Sequence, residues 1–162
     1  MNPCPCGYFA SDQRKCLCSE YERKRYLNKL SGPLIDRIDM FTFVSPSKYS
    51  DIKKENMGET SSAIKKRVSI ARDIQKTRFK YESINTNSQM NVKLIKRYCE
   101  LDEKCESIMK KIFTNYKIST RAYYRILKVS RTIADLKNRE NILQEDIIEA
   151  INYRKFINGN II

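Results

Sequence analysis

The sequence predicts a mainly α-helical chain: a short remnant of an α/β core carrying a cysteine-rich loop, followed by an α-helical bundle. Three observations predict it. Between about residues 91 and 157, apolar residues recur at helical spacing in four runs separated by turns of a few residues, the pattern of short-looped helices that pack on one another. Ahead of them one apolar run, "MFTFV" at 40–44, has the form of a buried strand. Four of the six cysteines lie within the first eighteen residues.

Those four form two C-x-C pairs, Cys4 with Cys6 and Cys16 with Cys18, nine residues apart. Four thiolates are the number that zinc takes in a closed tetrahedral site. Clustered cysteines in a cytosolic protein bind metal more often than they form disulfides. Pro3 and Pro5 stiffen the first pair, and Gly7 permits the turn away from it. Arg14 and Lys15 would offset part of the negative charge of a tetrathiolate centre. The commoner zinc spacing is C-x-x-C, so a disulfide hairpin, Cys4–Cys18 with Cys6–Cys16, and free thiols stand as alternatives. Zinc held by all four is structural, with no position left for catalysis. Cys99 and Cys105 fall on helical patterns and read as core.

Ser19 and Glu22 make a capping box, so a helix follows with Tyr26, Leu27 and Leu30 on one face, stopping at Ser31-Gly32-Pro33. The strand comes next, then a polar loop over 46–59. Thr60 or Ser61 caps a longer helix to about residue 80, with Ile64, Val68, Ala71 and Ile74 on its apolar side. Lys65, Lys66, Arg67, Arg72, Lys76 and Arg78 cover much of the rest, as a solvated face or as a stripe that meets phosphates. The polar stretch "YESINTNSQM" (81–90) reads as a linker between a first unit, 1–80, and a second, 91–162. Helices are predicted at about 91–99, 102–116, 119–137 and 144–157, the first three capped by Asn91, Asp102 and Ser119.

Lys and Arg outnumber Asp and Glu by 13, which suits a phosphate-bearing partner such as DNA, with codon bias toward lysine as the alternative source. No apolar run is long enough to cross a membrane and no secretory leader opens the chain, so a cytoplasmic protein is expected. Histidine is absent. That excludes Ser-His and Cys-His catalysis and leaves cysteine to carry any metal site.

Four stretches, "MNPCPCGY…CLCS", "YLNKLSGPLIDRIDM", "NSQM" and "STRAYYRILKVSRTIADL", together resemble the C-terminal part of magnesium-chelatase-like AAA+ ATPases of the ComM/YifB type, over about residues 1–157. The resemblance implies that residues 1–80 are the end of an AAA+ nucleotide-binding core and that 91–162 is its helical lid. It implies roles for three residues. Asn2 matches the sensor-1 asparagine that orients the attacking water. Arg37 matches the arginine finger that reaches a neighbouring subunit's ATP. Arg121 matches the sensor-2 arginine of the lid. The implied cofactors are ATP and Mg²⁺ in the full-length protein, and the implied assembly is a homo-oligomeric ring, usually a hexamer.

The chemistry suits those residue types. Phosphoryl transfer needs positive charge at the γ-phosphate, and an arginine supplied from a neighbour contributes ~10³–10⁵ in rate. Arginine's planar fork is always charged and binds phosphate oxygens in pairs. Other readings of the same residues remain: Arg37 could pair with Asp36 or Asp39, and Arg125 or Arg131 could stand in for Arg121. The chain has no G-x-x-x-x-G-K-[ST] loop, so this part alone is not expected to hydrolyse ATP. The alternatives to a DNA-processing motor, for branch migration or competence, are a stand-alone zinc-containing nucleic-acid-binding module and a chelatase-type subunit that remodels a partner enzyme.

Overall fold

The structure, a computed structural model, describes residues 2–9, 11, 14–42, 44, 49 and 58–154. Its order is α1 (Glu20–Leu27), α2 (Gly32–Ile35), α3 (Ser61–Arg78), a 3-10 turn (Asn87–Gln89), α4 (Val92–Tyr98), α5 (Glu103–Tyr116), α6 (Thr120–Leu136) and α7 (Gln144–Asn152). The fold is mainly helical, and among the described residues there is no strand.

Helix starts fall where the side chains dictate. Ser19 Oγ accepts the Glu22 N–H at 3.2 Å, while Glu22 accepts the Ser19 N–H at 2.8 Å. Thr60, Asn91, Asp102 and Ser119 each accept the N–H three residues on, at 3.2, 3.0, 2.7 and 3.1 Å. Each such cap is worth about 1 kcal/mol, because it satisfies an amide that the helix cannot. The last helix begins differently: the buried Asp146 reaches back to the Leu143 N–H at 3.0 Å.

The core sits around α6, which is buried along most of its length and packs against α3, the 3-10 turn, α4 and α7, with α5 against α7. Ile126, Leu127, Ile133 and Ala134 of α6 meet Leu94 and Ile95 of α4, Met109 and Ile112 of α5, and Ile147, Ala150 and Ile151 of α7 in one cluster. Removing an aliphatic side chain of this size from water contributes roughly 1.5–3 kcal/mol. Cys99 and Cys105 belong to the same core, as their helical positions predict.

Several expectations are revised. "MFTFV" is not a strand in its described part: Met40 is exposed and Val44 is 81% exposed. A lone strand has no ladder to satisfy its amides, and the Phe41 N–H goes instead to the Tyr153 carbonyl at 2.6 Å. α1 ends at Leu27, ahead of the expected Ser31-Gly32-Pro33 stop and leaving Leu30 outside it, and Pro33 instead sits in the first turn of α2. Only the C-terminal half of α3 packs: Ala71 and Gln75 are buried, whereas Ile64 and Val68 are exposed. Residues 81–90 are polar, yet Asn87 and Met90 are buried within them. α7 ends at Asn152, and the predicted helix beyond residue 154, like most of the predicted 46–59 loop, lies outside the described residues.

Candidate functional site

Arg37 follows α2 in a turn, its N–H bonded to the Leu34 carbonyl at 3.0 Å, and its side chain is exposed. Of the acids beside it, one is engaged elsewhere. Asp39 pairs with Arg125 of α6. Asp36 acts on the buried Arg154, whose guanidinium donates to the Ile38 carbonyl at 2.8 Å. Burial holds Arg154 below the usual arginine range, opposed by the charge of Asp36. Asp39 is thus taken by Arg125, Asp36 makes no ion pair among the described residues, and neither does the guanidinium of Arg37.

α6 presents the second arginine. Arg121 lies in its first turn, just beyond the Ser119 cap, and is exposed. Arg121, Arg125 and Lys128 follow at spacings of four and three, so they share one stripe of the helix. The stripe becomes more enclosed along its length. Arg125 carries the ion pair with Asp39, and its Nε is buried without a hydrogen-bond partner. Lys128 donates to the Ser88 carbonyl at 2.8 Å, and burial lowers its pKa. Beside it a cleft of about 250 Å³ opens between Asp39, Met40, Lys128 and Tyr153.

Arg131, an alternative to Arg121 on sequence grounds, is 3% exposed and fully committed. It binds Asp135 and donates to the Arg139 and Glu140 carbonyls, each at 2.6 Å. It serves the core. Asp135, wholly buried, also receives Arg78 of α3 at 2.7 Å and Asn87 at 2.7 Å. Asn87 in turn accepts from Arg78 and donates to Thr132. Burial lowers the pKa of Arg131, and Asp135 works against that shift. Sequence reasoning missed this network because its members stand 48 and 57 residues apart.

The cysteine pairs come together. All four Sγ atoms lie within 4.8 Å of one another, and none is in a disulfide. Cys4 is fully buried. Cys4–Cys6, Cys4–Cys16 and Cys6–Cys16 are 3.4, 3.7 and 3.6 Å apart. The Tyr8 N–H is the largest influence on Cys6 and brings its pKa down to about 6. The Cys6 N–H favours the Cys18 thiolate, but desolvation and the neighbouring sulfurs prevail and push Cys18 up to about 12. The proximity of the four sulfurs is what allows the cluster to hold a metal ion. The loop is tied to α1 by Arg23, which donates to the Cys18 carbonyl at 2.7 Å and lies over the Phe9 ring.

Asn2 is exposed and lies against the loop: a Cβ on Gly7 would stand 3.4 Å from its Nδ2. Gly7 has φ +81°, a conformation that side chains rarely adopt, and its N–H closes the turn onto the Cys4 carbonyl at 3.1 Å. The site residues thus fall into two groups: Asn2 with the cysteines, and the Arg37 segment with the helix of Arg121.

Comparison with known proteins gives a consistent assignment. The family model for the C-terminal part of magnesium chelatase subunit ChlI matches residues 58–154, and that for magnesium chelatase subunit ChlI matches residues 1–52. The competence protein ComM of Haemophilus influenzae is 37% identical over 158 residues, 97% of this chain and 30% of that protein. The uncharacterized protein YifB of Salmonella typhimurium is 33% identical over 155 residues, 95% of this chain and 29% of that protein, and its Escherichia coli counterpart is 32% identical over the same length. The chain thus spans about 30% of the length of the curated relatives it matches. On these matches the chain belongs to the magnesium chelatase ChlI family.

Proposed function

We propose that this chain is the sensing and trans-acting part of a ring-forming AAA+ ATPase that works on DNA in the cytoplasm. The observation that carries the reading is the state of Arg37. Asp39 is engaged by Arg125, and Asp36 makes no ion pair with Arg37 among the described residues, so Arg37 keeps a whole positive charge at the surface. An arginine finger needs that state, because one already paired within its own subunit has little charge left for a neighbour's γ-phosphate. Arg121 is similarly exposed, at a helix N-terminus whose amides also favour anions.

In this reading Arg37 completes the ATP site of the adjacent subunit, and Arg121 touches the γ-phosphate from a lid formed by α4–α7. Asn2 orients the water. The fit is to phosphate: the side chains offered are arginines, and the ligands of Mg²⁺ come from elsewhere in the full-length protein. ATP with Mg²⁺ supplies the phosphoryl group and screens its charge. A DNA client is supported by the excess of 13 positive charges and by the competence name of the Haemophilus influenzae relative.

The experiment is ATP hydrolysis by the full-length protein bearing Arg37→Ala or Arg121→Ala. Arg37→Ala should lower kcat by ~10³ or more while ATP binding persists. Rings mixed from Arg37→Ala subunits and subunits unable to bind ATP should recover activity at the junctions where an intact finger meets an intact site. Wild-type rates in both single variants would refute the assignment.

A nucleic-acid-binding role for the chain by itself is favoured by α3, whose first ten residues, Lys65, Lys66 and Arg67 among them, are all exposed. That role requires DNA affinity of the isolated chain that falls steeply with added salt.

A further inference from the structure

We infer that Cys4, Cys6, Cys16 and Cys18 form a closed tetrathiolate site for one zinc ion, and that the ion fixes the turn against which Asn2 rests. The site stands on sulfur geometry alone; its consequence for Asn2 rests on the role proposed for that residue above.

A tetrahedral zinc with Zn–S bonds of about 2.3 Å has S···S edges of about 3.8 Å. The edges among Cys4, Cys6 and Cys16 are 3.4, 3.7 and 3.6 Å, and all four sulfurs lie within 4.8 Å of one another. A disulfide brings two sulfurs to about 2.05 Å, so these thiols are arranged around a centre and not bonded in pairs. An all-sulfur set suits zinc and excludes Mg²⁺ and Ca²⁺, which take oxygen. The Tyr8, Cys18 and Cys6 amides point at the sulfurs of Cys6, Cys16 and Cys18, spreading thiolate charge as ligand-orienting hydrogen bonds do. With four protein ligands no position remains for water, so the ion has a structural role.

What it stabilises follows from the chain path. The Cys4-Pro5-Cys6-Gly7 turn carries two ligands, closes through the Gly7 N–H, and carries the Asn2 side chain over Gly7. With the ion gone, four thiols and the single Gly7 N–H bond to Cys4 are left to hold that turn, and Asn2 loses its support. α4–α7 have their own core and do not depend on it.

The test is native mass spectrometry, thiol alkylation and hydrogen exchange on this chain with stoichiometric Zn²⁺, after chelation, and as the Cys16→Ser variant. Expected are one zinc per chain, four cysteines protected from alkylation until chelation, and exchange at least tenfold faster over 2–18 once zinc is removed, with 92–152 unchanged. Cys16→Ser should fold but bind zinc much more weakly. Failure to take up zinc with all four thiols reactive, or a mass two hydrogens short per disulfide, overturns the site. Zinc bound, but exchange at 2–8 unaltered on its removal, overturns the link to Asn2. The sensor role fails separately: normal ATP hydrolysis by full-length Asn2→Ala refutes it whatever the zinc content.

Discussion

Asp39 and Arg125 pair across 86 residues of sequence, and through them the segment bearing Arg37 is joined to the helix bearing Arg121. The Phe41–Tyr153 and Ile38–Arg154 hydrogen bonds fasten the same segment to the end of α7.

Breaking the pair should loosen the segment without unfolding the chain. Asp39 is about half exposed and Arg125 about a quarter, so the pair contributes at most ~1 kcal/mol to global stability. Arg125→Gln should speed amide exchange at 36–41 about tenfold and leave 92–112 unchanged. The exchanged pair Asp39→Arg with Arg125→Asp should restore protection. If protection at 36–41 survives Arg125→Gln, the two flanking hydrogen bonds suffice and the ion pair is incidental.

Asp135→Asn should be far more damaging. It keeps the shape but leaves Arg78 and the buried Arg131 without their counter-charge, and removing one partner of a buried pair typically costs about 3–5 kcal/mol. Urea denaturation should show that loss as a lower midpoint at an unchanged slope. A loss under about 1 kcal/mol would mean that the arginines find other partners.

Lys117 ends α5 in the left-handed region at φ 46°, where side chains cost about 1–2 kcal/mol. Lys117→Gly should therefore raise stability by roughly 0.5–1 kcal/mol and Tm by a few degrees. A fall in Tm would show that the lysine side chain stabilises the turn in some other way.

Burial raises Cys99 from the ordinary 9 to about 12. Cys105 rises to about 12 as well, through burial first and then Asp102. The fold thus prefers the neutral thiol. Below about pH 9 both folded and unfolded chains keep the proton, and stability from these groups is at its full value. Between about 9 and 12 the unfolded chain releases protons that the fold retains, so stability falls as pH rises. Thermal melts from about pH 8 to 11 should show a shallower decline for Cys99→Ala than for the native chain; parallel declines would contradict the shift.

The helical half was legible because its signals are local. Asn91, Asp102 and Ser119 act within a single turn, and the apolar spacing around Cys105, Met109 and Ile112 states which face is covered. Arg121's place in the first turn beyond the Ser119 cap is equally local, whereas its role came only through the family resemblance. What could not be read was pairing at a distance. Nothing in "NSQM" says that Asn87 enters the core to meet Asp135, so its polarity read as a linker. Nothing in "DRID" says that Asp39 reaches Arg125 rather than Arg37. "MFTFV" misled because its composition is that of a strand, while a strand exists only where a second backbone accepts its amides.

α6 is held most firmly near its C-terminal end, where Arg131 and Asp135 are locked to α3 and Asn87, while its other end carries Arg121 at the surface. Those ends lie about 21 Å apart at 1.5 Å per residue. Ala122, Ile126 and Leu127 bury the stretch between these ends, so the helix acts as a rigid rod carrying Arg121 at its far end. A tilt of about 10° at the Asp135 end swings Arg121 through roughly 4 Å, which is more than separates a hydrogen bond from none. The same stroke pulls on Asp39 through Arg125, so a displacement felt at one arginine is delivered to the segment of the other.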